Sequence, residues 1–205
     1  DDPTDWKTLF ELLHEVREEL TKYFPYKVMH IDDAEADDII GVLIENLAQD
    51  DRLPPTLILS SDKDFIQLQK YQEVRQWSPL QKKFIKGDPV ESLYDKTIRG
   101  DSGDGVPNIL SSDDTFITEG KRQTPVTKKK MELWRGKKPE EFCNEVMLRN
   151  YHRNKTLVDL GETPKSIRIN ILNQYDSQEA GDRSGLWNYF IDKKLKNLMD
   201  VIDEF

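Results

Sequence analysis

Apolar residues recur every three or four positions over residues 5–23, where Trp6, Leu9, Phe10, Leu13, Val16 and Leu20 alternate with charged side chains. That period puts them on one stripe of an α-helix. Pro25 stops it, because the ring disfavours helical backbone in the residue before it. Residues 26–31 predict a short strand. A second helix is expected over 34–48, with Ile39, Ile40, Leu43, Ile44 and Leu47 apolar. After the Pro54-Pro55 loop, Thr56-Leu57-Ile58-Leu59-Ser60 is a continuous apolar run, the pattern of a strand buried in a parallel sheet. A short helix over 65–70 and strands over 74–77 and 83–85 complete the region. Strands and helices that alternate in this way predict an α/β domain around a parallel core.

Past residue 90 the strand pattern ends. Residues 91–99 read as a helix, and 100–112 are rich in Gly, Asp, Ser and Pro. Residues 139–160, 163–176 and 186–202 read as helices, joined by polar loops at Gly161, Pro164 and Gly181-Asp182-Arg183. Leu186, Trp187, Tyr189, Phe190, Leu195, Leu198, Met199, Val201, Ile202 and Phe205 make the last stretch strongly apolar. Core packing among terminal helices is the first reading of that stretch, and a protein-docking surface the second.

The chain has 205 residues, enough for one sizeable domain or a domain with an extension. No apolar run reaches membrane-spanning length, and no secretory signal pattern opens the sequence. A single cysteine, Cys143, excludes an intrachain disulfide framework and fits a reducing, cytoplasmic setting; it reads as a small core residue. The net charge of −9 speaks against a polyanionic partner until its distribution is seen. Residues 1–64 carry 17 acidic and 6 basic side chains, whereas residues 65–138 carry 10 and 15. A basic middle beside an acidic first third leaves room for nucleic acid.

Candidate chemistry lies in three acidic clusters. Residues 26–31 lead into Asp32-Asp33-Ala34-Glu35-Ala36-Asp37-Asp38, and 56–60 lead into Ser61-Asp62-Lys63-Asp64. Ligands of open parallel sheets bind beyond the carboxyl ends of the strands. The third cluster, Gly100-Asp101-Ser102-Gly103-Asp104-Gly105, follows a helix. Helix capping accounts for one or two acidic groups per cluster, through Asp32-x-x-Glu35 and Ser61-x-x-Asp64. It does not account for Glu35, Asp37 and Asp38 together. Carboxylates gathered at one edge repel each other unless cations neutralise them, and such oxygen ligands suit Mg²⁺ or Mn²⁺. His14, His30 and His152 are isolated, and nothing suggests a zinc site.

Glu35-Ala36-Asp37-Asp38, Ser61-Asp62-Lys63-Asp64-Phe65 and Gly100-Asp101-Ser102-Gly103-Asp104-Gly105-Val106-Pro107, in this order and spacing, resemble the signature of the flap endonuclease and 5′-3′ exonuclease family. The likeness runs along nearly the whole chain. It implies the C-terminal part of a parallel-sheet nuclease core over 1–90, a helix-three-turn-helix DNA-binding segment over 91–138 and a C-terminal helical region over 139–205. The implied activity is Mg²⁺-dependent, two-metal hydrolysis of phosphodiesters at 5′ ends and flaps, removing RNA primers and adjacent DNA. Asp37 and Asp62 would hold one Mg²⁺, and Asp64, Asp101 and Asp104 the second, with Mn²⁺ able to substitute. Glu35 would orient ligands or waters, with Asp38 in support. K⁺ at the loop of the helix-three-turn-helix segment fits the same resemblance.

The implied substrates are RNA–DNA and DNA duplexes with 5′ ends or flaps, with no membrane partner. A single-strand-binding protein and a sliding clamp are the protein partners that the resemblance allows. Duplex contacts are expected at Arg99, Ser102, Gly103, Gly105, Lys121, Arg122 and Lys128, and on the strand edge at Lys82 and Lys83. A charged edge or a solvated helix start explains the lysines of the last two places equally well. Family members open with a strand bearing an early metal-binding Asp. The chain starts at Asp1-Asp2-Pro3 without that segment, so impaired activity of these residues alone is expected. Gly103 and Gly105 stand where bulkier polar residues are common, leaving fewer side chains to touch a phosphate. A noncatalytic duplex-binding module is the alternative from a different class.

Overall fold

A computed structural model describes residues 4–205; Asp1-Asp2-Pro3, where the expectation of an upstream segment starts, lie outside them. The helices and strands are α1 (Trp6–Tyr23), α2 (Ala36–Gln49), β1 (Thr56–Leu59), β2 (Val74–Ser78), β3 (Lys83–Ile85), α3 (Pro89–Arg99), α4 (Lys128–Trp134), α5 (Pro139–Phe142), α6 (Glu145–Val158), α7 (Lys165–Ser177), α8 (Leu186–Asp192) and α9 (Lys196–Met199). A 3-10 helix at Lys63–Lys70 sits between β1 and β2. No helix among the described residues is long and apolar enough to cross a membrane. The backbone divides into two compact units, Asp33–Arg168 and the chain on either side of it.

Within Asp33–Arg168 the three strands lie in the order β1-β2-β3. β1 runs parallel to β2, with Thr56 opposite Val74 and Leu59 opposite Trp77. β3 runs antiparallel to β2, with Trp77 opposite Phe84. The sheet is therefore mixed: the parallel β1–β2 pair fits the expected parallel core, and β3 departs from it as an antiparallel strand. Only a tight turn separates β2 from β3, with Lys82 at φ 50°, and a turn that short returns the chain antiparallel. The Trp77 and Phe84 rings meet edge-on at 4.9 Å across that pair. Burial on both faces of β1 is not found either: Ile58 is buried, whereas Leu57 and Leu59 are exposed. Among the described residues β1 is an edge strand, and the face bearing Ile58 is the covered one.

That cover is one hydrophobic cluster, Ile44 of α2, Ile58, Phe65 and Leu68 of the 3-10 helix, and Val74. A second cluster joins Ile98 of α3, Ile109, Met131 and Trp134 of α4. Each such side chain adds roughly 1.5–3 kcal/mol by leaving water. The expected 139–160 helix is broken at Cys143-Asn144, where the Asn144 carboxamide accepts from Met147 N–H at 2.9 Å and caps α6.

In the other unit, residues 26–31 form no strand. Backbone groups of Val28 and His30 are bonded instead by Gln174 of α7 and by Gln178, just past the end of that helix. His30 N–H donates to Gln174 Oε1 at 3.1 Å, Gln174 Nε2 donates to His30 O at 3.2 Å, and Gln178 Nε2 to Val28 O at 3.1 Å. Extended backbone held in this way has the same residue pattern as a paired strand. Phe24, Leu186 and Phe190 form the core here, with Phe205 edge-on to both phenylalanines. Much of the apolar C-terminal stretch thus packs internally. On α1 the stripe Trp6, Phe10, Leu13 and Val16 stays exposed, and only Leu20 and Tyr23 join that core.

Candidate metal centre

Two chain segments bring acids together. Asp62 caps the 3-10 helix, its carboxylate accepting from Asp64 N–H at 2.9 Å. The loop that carries both is fixed from β2. Buried Gln76 donates through Nε2 to Ser60 O at 3.0 Å and to Asp62 O, and the Ser61 and Ser78 hydroxyls bond at 2.7 Å. The second segment starts where α3 stops. Gly100 has φ +69°, and a Cβ there would sit 2.2 Å from Val106 O. Only glycine makes this exit. It allows Asp101 and Val106 to exchange both backbone bonds, at 2.9 and 2.7 Å, closing a small loop over Ser102–Gly105. Gly103 N–H turns inward to Asp101 Oδ1 at 2.9 Å.

One carboxylate oxygen from each of Asp64, Asp101 and Asp104 then lies within 4.8 Å of the other two. Asp64 and Asp101 are half-buried and Asp104 is exposed. A cation already lies among them: the Lys96 ammonium, from the last turn of α3, pairs with Asp64 Oδ1 and donates to Asp101 Oδ2 at 2.7 Å. Lys96 and the Gly103 N–H hold the Asp101 carboxyl below the ordinary carboxylate range against the opposing effect of its burial.

The acids at the start of α2 are arranged differently. Asp38 accepts from Glu35 N–H at 3.1 Å and from the Thr163 hydroxyl at 2.9 Å, so both its oxygens are engaged. Asp37 accepts from Asp38 N–H at 3.0 Å. Burial, and then the charges of Asp38 and Asp62, push the Asp37 carboxyl above its ordinary value. These residues line a groove with Asp33, Asp159, Glu162 and Thr163. The structure therefore gathers Asp64, Asp101 and Asp104. It leaves Asp37 and Asp62 outside that trio, and places Glu35 and Asp38 at the N-terminus of α2. Because 26–31 is not a strand, that acidic turn does not follow a strand end.

The expected DNA-contacting residues are scattered. Arg99 pairs with Asp95 at 2.7 Å and donates to Val126 O at 3.0 Å, tying α3 to the approach to α4. Lys121 is paired with Asp114 at 2.5 Å. Lys128 opens α4, Lys82 and Lys83 border the β2–β3 turn, and Ser102, Gly103, Gly105 and Arg122 are exposed.

Sequence reasoning overlooked Lys96 and the polar face of α6. Fully buried Asn154 donates to Thr97 O and Pro107 O, both at 2.9 Å, and Arg153 reaches the same Pro107 O at 2.7 Å. Buried Asn150 holds Ile109 O at 3.1 Å and Ser111 O at 3.0 Å. Helix α6 thus fixes the backbone just after the Asp101–Val106 loop. The available signal was Asn150 and Asn154, four apart, on a face that Val158 continues and that the helical period marks as core.

Comparison with known proteins fits this layout. Residues 87–205 match the family model described as T4 RNase H, C terminal, and residues 3–95 match that of the 5′-3′ exonuclease N-terminal resolvase-like domain. The chain is 35% identical to the ribonuclease H of Enterobacteria phage T4, an alignment that covers 98% of this chain and 68% of that protein. A mutant of the T5 5′-exonuclease has a comparable fold, with a TM-score of 0.55 and 16% identity over 82% of this chain and 75% of that one.

Proposed function

The chain belongs to the 5′-3′ exonuclease and flap endonuclease family that includes T4 ribonuclease H, and from that premise we propose that it hydrolyses phosphodiesters near 5′ ends, removing RNA primers and adjacent DNA with divalent cations. The carrying observation is the trio Asp64, Asp101 and Asp104, each of which offers one carboxylate oxygen within 4.8 Å of the other two. The residues present fit Mg²⁺ or Mn²⁺. The donors are hard carboxylate oxygens, and the Lys96 ammonium stands between two of them where positive charge is required.

Asp64, Asp101 and Asp104 would hold one ion, and Asp37 with Asp62 would contribute to a second. A bound divalent ion supplies Lewis-acid polarisation of the phosphodiester and an acidified water as nucleophile. The protein's own part is positional. Gln76 and Ser78 fix the Asp62–Asp64 loop, the Gly100 exit fixes Asp101, and α6 fixes the Pro107 carbonyl behind it. Half-buried Asp37, whose carboxyl is raised by burial and by neighbouring acids, gains from any cation placed beside it. Glu35, exposed at the α2 N-terminus, is positioned to orient water. The exposed Ser102–Gly105 turn offers backbone groups to a duplex phosphate without reading bases, with Arg122, Lys128, Lys82 and Lys83 as outer contacts. K⁺ at the same turn, and a single-strand-binding protein or sliding clamp as partners, complete the proposal.

The test is incubation with a labelled 5′-flap duplex and an RNA–DNA hybrid, in Mg²⁺ and in EDTA. Short 5′ products in Mg²⁺ that vanish in EDTA support the reading. Duplex binding with no product at any Mg²⁺ or Mn²⁺ concentration would replace it with the noncatalytic duplex-binding module.

A further inference from the structure

Lys96 occupies an unusual position for a surface-type residue. Its side chain is 19% exposed, and those of Asp64 and Asp101 are 13% and 24% exposed, so the three charges are largely withdrawn from water together. The ammonium contacts both carboxylates from the last turn of α3, five residues before Asp101 and on the other side of the Gly100 exit. Asp104, the third acid of the trio, has no ion-pair partner among the described residues and is exposed to solvent.

We propose that Lys96 is a built-in counter-ion of this centre, neutralising Asp64 and Asp101 in the metal-free chain and displaced by the divalent cation that binds them. The inference rests on the nuclease reading of the same site. Two cations cannot share the space between Asp64 and Asp101, because like charges so close in a partly dehydrated site repel strongly. A divalent ion would offer those oxygens the greater charge, and Asp104 would add a third carboxylate. The lysine therefore has two effects. It keeps the acids assembled when no metal is present, and it lowers the apparent affinity for metal, because every binding event must first break the Lys96 pairs. Once expelled, the ammonium remains tethered to α3 beside the centre, available to a phosphate oxygen of the substrate.

The experiment is a Mn²⁺ titration, followed by loss of the free-ion EPR signal, on the wild-type chain and on Lys96→Met, Lys96→Gln and Lys96→Arg. Removing the competing charge is expected to tighten Mn²⁺ binding by roughly tenfold in the Met and Gln variants. The Arg variant should stay close to wild type. The metal-free Met and Gln proteins should melt at lower temperature than wild type, with a larger rise in melting temperature on adding Mn²⁺. Unchanged or weaker Mn²⁺ binding in both neutral variants overturns the inference while leaving the nuclease reading intact. No Mn²⁺ binding by any of the four proteins overturns both. A measurement on the wild-type chain guards against variants that fail to fold. The Lys96 ammonium resonance, identified by its absence in Lys96→Arg, should move toward that of a solvated lysine in step with Mg²⁺ saturation. A resonance that stays fixed through saturation contradicts displacement.

Discussion

Two acidic turns that look alike in the sequence reach different chemical states. At the start of α2, Glu35, Asp37 and Asp38 serve the helix: Asp38 caps Glu35 N–H and holds Thr163, and Asp37 accepts from Asp38 N–H. After α3, Asp101 and Asp104 turn toward Asp64 from another segment, and a lysine ammonium joins them. The first turn is held by hydrogen bonds from neutral donors, with Asp37 left above its ordinary carboxylate value by burial and like charge. The second is held by a cation, with Asp101 below its ordinary value. Acidity alone therefore does not tell how the carboxylates of a turn are satisfied in the metal-free chain. Both turns accept backbone N–H groups; what separates them is the lysine ammonium that joins the oxygens of Asp64 and Asp101.

The comparison breaks most visibly in cleavage. Asp101→Asn should lower Mg²⁺-dependent hydrolysis of a 5′-flap duplex by about 10²-fold or more, the scale on which electrostatic stabilisation of a reacting phosphate operates. Asp38→Asn should cost less than about tenfold, because its oxygens are occupied by a helix cap whose loss is a stability matter of about 1 kcal/mol. Equal losses in steady-state rates of the two variants would erase the distinction between the turns.

A smaller effect sharpens it from behind the site. Asn154→Ala removes both hydrogen bonds from a fully buried amide to Thr97 O and Pro107 O. Urea denaturation should show a loss of about 2–4 kcal/mol. Mn²⁺ affinity should fall as well, because the Asp101–Val106 loop loses its backing. Weakened stability with unaltered Mn²⁺ binding would show that α6 supports the fold and not the centre.

The smallest expected effect has the opposite sign. The Asp37 carboxyl is raised in the folded chain, so its ionised form costs stability at pH values above that raised value. Asp37→Asn should stabilise the metal-free protein at neutral pH by a small amount, because solvent still reaches this half-buried group. The gain should shrink as pH falls through the raised value and vanish below the ordinary value near 3.8. Thermal melts of both proteins across that range in EDTA supply the check. A destabilised variant at neutral pH would mean that the helix-capping charge of Asp37 outweighs its burial.

The sequence made part of this arrangement legible. The helical stripes of α1 and α2, the 56–59 strand and the Gly100–Pro107 turn all carry strong local signals, because periodicity and glycine respond to backbone geometry directly. The strand expected over 26–31 failed because Gln174 and Gln178, about 150 residues away, supply its hydrogen-bond partners. No local pattern encodes that. The mixed sheet was hidden for a simpler reason: strand direction depends on the length of the β2–β3 turn, and two short apolar runs do not specify it. In the site, the acids were visible by type and spacing, and their partner Lys96 was not. A lysine at a helix C-terminus satisfies the dipole wherever it points, so its engagement with Asp64 appears only when the 3-10 helix and α3 are placed side by side.

Anomalous diffraction from crystals of this chain soaked in Mn²⁺ tests the account most directly. A Mn²⁺ peak among the carboxylates of Asp64, Asp101 and Asp104, with the Lys96 side chain swung away from Asp64, is the predicted result. Lys96 still seated between Asp64 and Asp101, with Mn²⁺ bound elsewhere or nowhere, would contradict it.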